Sequence, residues 1–239
     1  MANKDLGGKK IARRISPPRR KIGQGELATP KHRIVRLANV LPFEDYVGTI
    51  FDNHVDILGR TIFLNSVHVD ADGNESGTDA SMNDLCAKAL TLLEQQDLQK
   101  PIKIVTANFG GELTYAFGIY DRIKLSPCRV VIHGYGPIMS AGSLIFQAGD
   151  VRLLAPNAVM MLHYAESSIE SMRDVASDSM IKEHKRINKR LMEVYVERIT
   201  RAGKPGNERV LNQKIKDTLF LTATEAVAIG LADGIITKA

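Results

Sequence analysis

The chain has no tryptophan, two cysteines in 239 residues, and 5% aromatic residues. It also lacks any apolar run near the ~20 residues a membrane helix needs, so no membrane span is expected. Cys86 and Cys128 form no CxxC pair, which argues against a disulfide framework or a cysteine zinc site. Cys86 falls in a helical pattern and Cys128 precedes a strand, so both read as packing residues. The first residues hold no apolar core of a secretory signal. A reducing cytoplasm is the expected compartment.

Acidic residues are scarce where basic ones are dense. Residues 1–23 carry eight lysines and arginines against Asp5, a charge of +7, so the rest of the chain holds about −2 of the formal +5. The basic character belongs to this tail and not to the fold. With Gly7, Gly8, Pro17 and Pro18 and few apolar residues, residues 1–35 read as a disordered extension. A role for it as a nucleic-acid or partner arm, a removed propeptide or a targeting segment stands beside a plain solubilising one; no other part of the chain suggests nucleic acid. Residues 36–239 are long enough for one domain with a sizeable core.

Within that domain the apolar pattern alternates between strand and helix. Residues 32–56 form a mixed lead-in, broken by Pro42 and Gly48. GRTIFLNSV (59–67) reads as the first core strand. In the loop after it, Asp70, Asp72 and Asn74 resemble the start of a calcium loop. Glu75 stands where that loop needs glycine and Ser81 where it needs glutamate, so a polar turn is the reading. Met82, Leu85, Ala89 and Leu92 predict a helix over 79–97, capped by Asp79 or Ser81. IKIVT after Pro101 is a short buried strand, and strand–helix–strand order predicts parallel pairing.

The chemistry concentrates in residues 130–164. VVIHG is a buried-strand run, and Gly134 and Gly136 bracket a predicted turn. Ser140 then opens the small-residue helix SAGSLIFQAG. A serine there meets unpaired backbone N–H groups, which suits a nucleophile whose substrate oxygen becomes an anion; as a lone feature it is usually only a helix cap. VMMLH ends in His163, a base able to accept a proton near neutral pH. Upstream, the glycine pair in ANFGGEL lies between a strand and a helix, where backbone N–H groups can face a ligand or simply make a tight turn.

GPIMSAGS resembles the nucleophile turn of the Clp protease proteolytic subunit (ClpP) family. PNAVMMLH resembles its segment leading to the catalytic histidine, and FLTATEAVAIGLADGII its closing segment. The resemblance runs from about residue 50 to the end. It implies an α/β fold of the ClpP/crotonase type, with repeated β-β-α units, stacked twisted sheets and a protruding handle helix. It implies a serine endopeptidase with Ser140 as nucleophile and His163 as base. The N–H groups of Gly111 and Ala141 would form the oxyanion hole, with an extended substrate beside Gly110, Glu112 and Leu113. No metal or organic cofactor is implied. The implied partners are polypeptide substrates, further copies in stacked rings and an ATP-driven unfoldase.

Two departures stand out. Ala107, Asn108 and Phe109 replace the residues that precede the two glycines in the family. An ungapped match from FLT puts Thr218 where the family has its triad aspartate, with Asp217 one residue earlier. Asp217 orients His163 if the loop before it carries an extra residue; otherwise Thr218 does so by a neutral hydrogen bond, or the triad is broken. A broken triad would make the chain a catalytically silent ring subunit; the divergent NFGG stretch and the basic tail leave a phage-type capsid-maturation protease as a further alternative. An acyl-CoA enzyme of the crotonase class would not need the serine–histidine pair.

Ile169, Met172, Ala176, Met180, Ile187, Leu191 and Val194 predict a long helix over about 169–201. Thirty residues at ~1.5 Å each make a rod of roughly 45 Å. An apolar stripe on so long a rod needs a partner, and the methionines read as packing residues. Sedimentation or light scattering at micromolar concentration is expected to show an oligomer; a monodisperse monomer contradicts the handle reading.

Overall fold

Apolar alternation in IKIVT and VVIH builds the central strands. The structure, a computed structural model, describes residues 43–66, 77–165, 178–204 and 208–238. The basic extension, the 70–76 loop and the first part of the predicted handle, 169–177, lie outside the described residues. The described residues belong to one unit, Val35–Ala239.

The order is α1 (Phe43–Asn53), β1 (Val55–Asp56), β2 (Thr61–Phe63), α2 (Ala80–Gln96), β3 (Ile102–Asn108), α3 (Leu113–Lys124), β4 (Val130–Met139), α4 (Ala141–Phe146), β5 (Val151–Leu154), β6 (Val159–Leu162), α5 (Asp178–Arg201), α6 (Glu208–Lys216), β7 (Leu219–Thr222), α7 (Ala223–Ile229) and β8 (Gly234–Ile235). The path β1-β2-β3-β4-β5-β8 is parallel except for β1. A branch leaves β4 through β6 to β7.

The branch arises inside β4. Residues 131–134 pair with β5, and residues 137–139 pair with β6. Against β3, Thr106 faces Gly134 while Asn108 faces Ile138, so β4 carries two extra residues at this point. Gly136 there has φ +63°, a conformation side chains disfavour. The turn predicted at Gly134–Gly136 is therefore a bulge in a continuous strand. Its effect is to hand β4 from one neighbour to the other.

Other differences follow from burial. The lead-in contains a helix, α1. The first core strand is shorter than predicted, and just before it Arg60 is buried and spends its guanidinium on the carbonyls of Leu93, Asp97, Lys100 and Pro101. Those bonds close the end of α2 and the turn into β3. Asp79 caps α2 by accepting from the Met82 N–H. The buried face of α2 is Met82, Cys86, Ala89, Leu90 and Leu93, and Leu92 points outward at 42% exposure. Both cysteines are buried and unpaired.

The core gathers Ile104 of β3, Ile132 and Ile138 of β4, Leu144 and Phe146 of α4, and Met160 and Leu162 of β6, all buried. Truncating such a side chain to alanine costs about 2–5 kcal/mol. Helix α5 enters this core only with its C-terminal half, through Leu191, Met192, Val194, Tyr195 and Ile199. Met180, near its start, is 47% exposed. Among the described residues no helix is long and apolar enough to cross a membrane.

Arg122 of α3 grips the Glu94 carboxylate of α2 with two bonds of 2.8 and 2.7 Å, and Ser126 adds a third at 2.7 Å. The Arg122 hydrogen bonds hold Glu94 below its ordinary pKa against the opposing effect of burial. A depressed carboxylate stabilises the fold above its unfolded pKa, and that contribution is lost as pH falls through the folded value. Urea unfolding of wild type and Glu94→Gln is expected to differ most at neutral pH, the gap closing below about pH 4.5. A pH-independent gap contradicts the assignment.

Candidate active site

Strands β4 and β6 run side by side in parallel, with Met139 opposite Met161. The residues that leave these two strands therefore emerge together. Ser140 follows β4 directly, and its N–H donates to the Met161 carbonyl at 2.8 Å. His163 follows β6. Their side chains meet, with His163 Nε2 2.6 Å from Ser140 Oγ. For the hydroxyl to donate, Nε2 must be the accepting nitrogen and the ring proton must sit on Nδ1.

Ser140 adopts φ 50°, ψ −125°, outside the helical and extended regions. Such a conformation costs about 1–3 kcal/mol and is held only where the surroundings enforce it. Here the enforcement comes from β4 on one side and the fully buried helix α4 on the other. The strained corner lifts the hydroxyl out of both elements toward His163.

The glycine loop after β3 closes over this corner. Asn108 is fully buried, and its Oδ1 accepts from the Gly110 N–H at 2.7 Å while its Nδ2 donates to Thr78 Oγ1 at 3.1 Å. Thr78 pairs with Gly111 in parallel, donating to the Gly110 carbonyl at 2.6 Å and accepting from the Glu112 N–H at 2.8 Å. Backbone groups alternate in direction along an extended chain, so the N–H and C=O of Gly111 point away from Thr78. Gly110 has φ +114°, and a Cβ built there would sit 2.6 Å from Ser140 Cβ and 3.2 Å from Ala141 N. The Gly110 backbone thus lies against the nucleophile turn. The N–H groups of Gly111 and Ala141 are the main-chain donors on either side of that contact.

A cleft of about 350 Å³ opens over the pair. Glu112 and Leu113 line it together with Ser140 and His163. Gly110, expected beside the substrate, is instead buried behind Ser140. His184 and Ile187 of α5 form part of the wall; Ile187 was read only as part of the apolar stripe and His184 was not singled out from sequence, although their spacing of three puts them on one helix face. Asn188 accepts from the Ala165 N–H at 2.9 Å and lies 3.0 Å from His184 Nε2, which ties α5 to the segment after His163. Asn108 and Thr78 were also missed as the groups that shape the glycine loop.

The third position of the expected triad is different. Strand β7 pairs antiparallel with β6, with Leu219 opposite Leu162. Asp217 and Thr218 lie just before this pairing begins, in the turn that leads out of α6. Both Asp217 and Thr218 are exposed, Thr218 with φ 59°, and neither side chain hydrogen-bonds His163. The structure therefore brings Ser140 and His163 together and leaves Asp217 apart. Among the described residues no cluster of three or more His, Cys, Asp or Glu side chains is arranged to hold a metal ion.

A strand-end serine on a strained corner, a histidine from the adjacent parallel strand and a glycine loop across them form one constellation. The sequence profile of the family described as Clp protease matches residues 60–239. The chain belongs to the Clp protease family. It is 29% identical over 197 residues to ATP-dependent Clp protease proteolytic subunit 2 of Corynebacterium efficiens, covering 81% of this chain and 89% of that one. It is 32% identical over 183 residues to subunit 2 of Corynebacterium glutamicum, covering 75% and 83%. With subunit 1 of Mycobacterium tuberculosis it shares 30% over 164 residues, covering 67% and 78%. The fold matches a solved point mutant of ClpP1 from Listeria monocytogenes with TM-score 0.62 and 24% identity, over 76% of this chain and 94% of that one. The ClpP-type α/β fold expected from the sequence is thus present, with β4 as the strand from which its sheet branches.

The contact at Gly110 is directly testable in this Clp family member. Gly110→Ala is expected to lower stability by roughly 1–3 kcal/mol, through positive-φ strain and the push on Ser140. Urea unfolding measures it, and a variant as stable as wild type contradicts the packing described.

Proposed function

We propose that this chain is a serine endopeptidase of the Clp proteolytic-subunit type, hydrolysing peptide bonds in extended polypeptides inside an oligomeric ring. The observation that carries this reading is the 2.6 Å contact between Ser140 Oγ and His163 Nε2 at the strained end of β4. In the proposed reaction Ser140 Oγ attacks the scissile carbonyl carbon and His163 Nε2 takes its proton. The N–H groups of Gly111 and Ala141 receive the oxyanion of the tetrahedral intermediate. His163 then gives the proton to the leaving amine, and an acyl-enzyme remains. Water, deprotonated by the same nitrogen, attacks the ester and regenerates Ser140. The substrate backbone pairs with the outward-facing edge of Gly111, and Glu112 and Leu113 border it.

Assembly into rings is part of this reading, and exposed apolar residues of the described surface, among them Phe51, Leu125 and Phe220, are consistent with it. A closed ring admits only extended chains, so an ATP-driven unfoldase is the proposed partner. No cofactor enters the proposed chemistry.

A second reading, a catalytically silent ring subunit, is favoured by one observation: Asp217 is exposed and does not reach His163. An orienting aspartate is worth about 10⁴ in kcat where it can be measured. In the protease reading Asp217 or Thr218 takes the orienting role, and the variants below separate the two.

The test is labelling by a fluorophosphonate probe of the assembled wild type beside Ser140→Ala, His163→Ala, Asp217→Asn and Thr218→Val. Wild type is expected to label, and the first two variants to lose at least 10³-fold in rate, on the order seen for serine-protease triads. Loss in Asp217→Asn gives that residue the orienting role; loss in Thr218→Val alone gives it to Thr218. An assembled wild type that does not label, even with short peptides present, ends the protease reading in favour of the silent subunit.

A further inference from the structure

Beneath the nucleophile lies a buried chain of hydroxyl groups that the reaction as written does not use. Ser143 Oγ is 2.7 Å from the Ser140 carbonyl oxygen and 2.7 Å from the Tyr195 hydroxyl. Ser143 and Tyr195 are both buried, at 0% and 1% exposure. The direction of the chain follows from proton counting. A carbonyl oxygen only accepts, so the single Ser143 proton goes to Ser140 O. The Tyr195 hydroxyl must then donate to Ser143 Oγ. Burial pushes the Tyr195 hydroxyl above its ordinary pKa, which keeps that proton in place.

The carbonyl at the end of this chain belongs to the Ser140–Ala141 peptide unit. That unit is planar and trans, so its C=O and the Ala141 N–H are opposite ends of one rigid dipole. A donor at the oxygen end fixes the direction of the N–H and polarises it, because hydrogen bonds in series reinforce one another in a low dielectric. The Ala141 N–H is the oxyanion donor in the reading above.

Helix α5 grips the other end of α4 as well. Arg198, three residues after Tyr195 and on the same face, donates to the carbonyls of Gln147 and Gly149. The nucleophile helix is therefore held at both ends by one helix.

We propose that Tyr195 and Ser143 are positioning residues for the oxyanion hole: a directed relay, Tyr195 O–H to Ser143 O–H to the Ser140 carbonyl, that orients and strengthens the Ala141 N–H. This rests on the protease reading and adds a residue of the handle helix to the catalytic apparatus. It makes acylation sensitive to the seating of α5 on α4.

The experiment compares fluorophosphonate labelling rate, kcat and KM for a peptide substrate, and thermal unfolding, in the assembled chain. The variants are Tyr195→Phe, Ser143→Ala and the double variant. Tyr195→Phe keeps the packing and removes only the first donor. It is expected to label roughly fivefold more slowly, about the worth of one hydrogen bond, with the loss in kcat and not in KM. Ser143→Ala strands the buried Tyr195 hydroxyl and is expected to lower the unfolding midpoint as well. The double variant removes both partners, so its stability returns toward wild type. The Ser140 carbonyl still accepts from the backbone N–H groups of Ser143 and Leu144 in that variant, so nothing is orphaned. Slow labelling in a restabilised double variant supports the relay. A Tyr195→Phe or double variant that labels at the wild-type rate overturns the relay and leaves the protease reading standing. A wild type that does not label removes that reading, and the relay with it.

Discussion

The parallel pairing of β4 with β6 is the constraint on which the site depends. Two residues separated by 23 positions come within 2.6 Å because each leaves one of two adjacent parallel strands at the same level. The pairing exists only because β4 changes neighbours, and it changes neighbours through two extra residues around Gly136. A straight β4 would continue beside β5 and carry Ser140 away from the end of β6. The bulge thus positions the candidate site without contributing a group to it.

The same economy governs the glycine loop. Asn108 and Thr78 take up the polar groups of Gly110 and its neighbours, leaving the Gly111 peptide aimed at the cleft. The family's usual residues before the glycines are replaced here, yet main-chain donors need no particular side chain. A buried asparagine that satisfies the turn lets the side chains around it vary. The geometry of the glycine loop is therefore insulated from the substitutions that make this chain look divergent.

The base is less insulated. An imidazole that must collect and return a proton depends on a group that fixes its tautomer, and in the Ser-His-Asp template that group is a carboxylate. Here β7 begins at Leu219, opposite Leu162, and the exposed Thr218 and Asp217 come just before it. Helix α5, by contrast, is committed to the nucleophile side, through Tyr195 and Arg198 on α4 and Asn188 on the segment after His163. Its apolar C-terminal half is core, and its N-terminal half is more exposed.

Local chemistry was legible in the chain itself. The strands IKIVT and VVIH, the capped helix α2, the Ser140 corner, the ending of VMMLH in His163 and the glycine pair after β3 all follow from periodicity, caps and residue type within a dozen positions. What lay beyond reach were the facts that depend on register between distant segments. The Gly134–Gly136 bulge looks like a turn because glycine signals an unusual φ and not its purpose. Leu92 and Leu93 are indistinguishable by hydropathy, and only packing turned one outward. Asp217 and Thr218 are neighbours just before β7, and only the turn from α6 into that strand decides where each stands relative to His163. Tyr195 and Ser143 are 52 residues apart, and their contact exists only once α5 lies across α4. The residue types that can perform the chemistry are written in the sequence, because short-range physics selects them. Which of them meet was decided by strand register and helix seating, which are long-range properties of the folded chain.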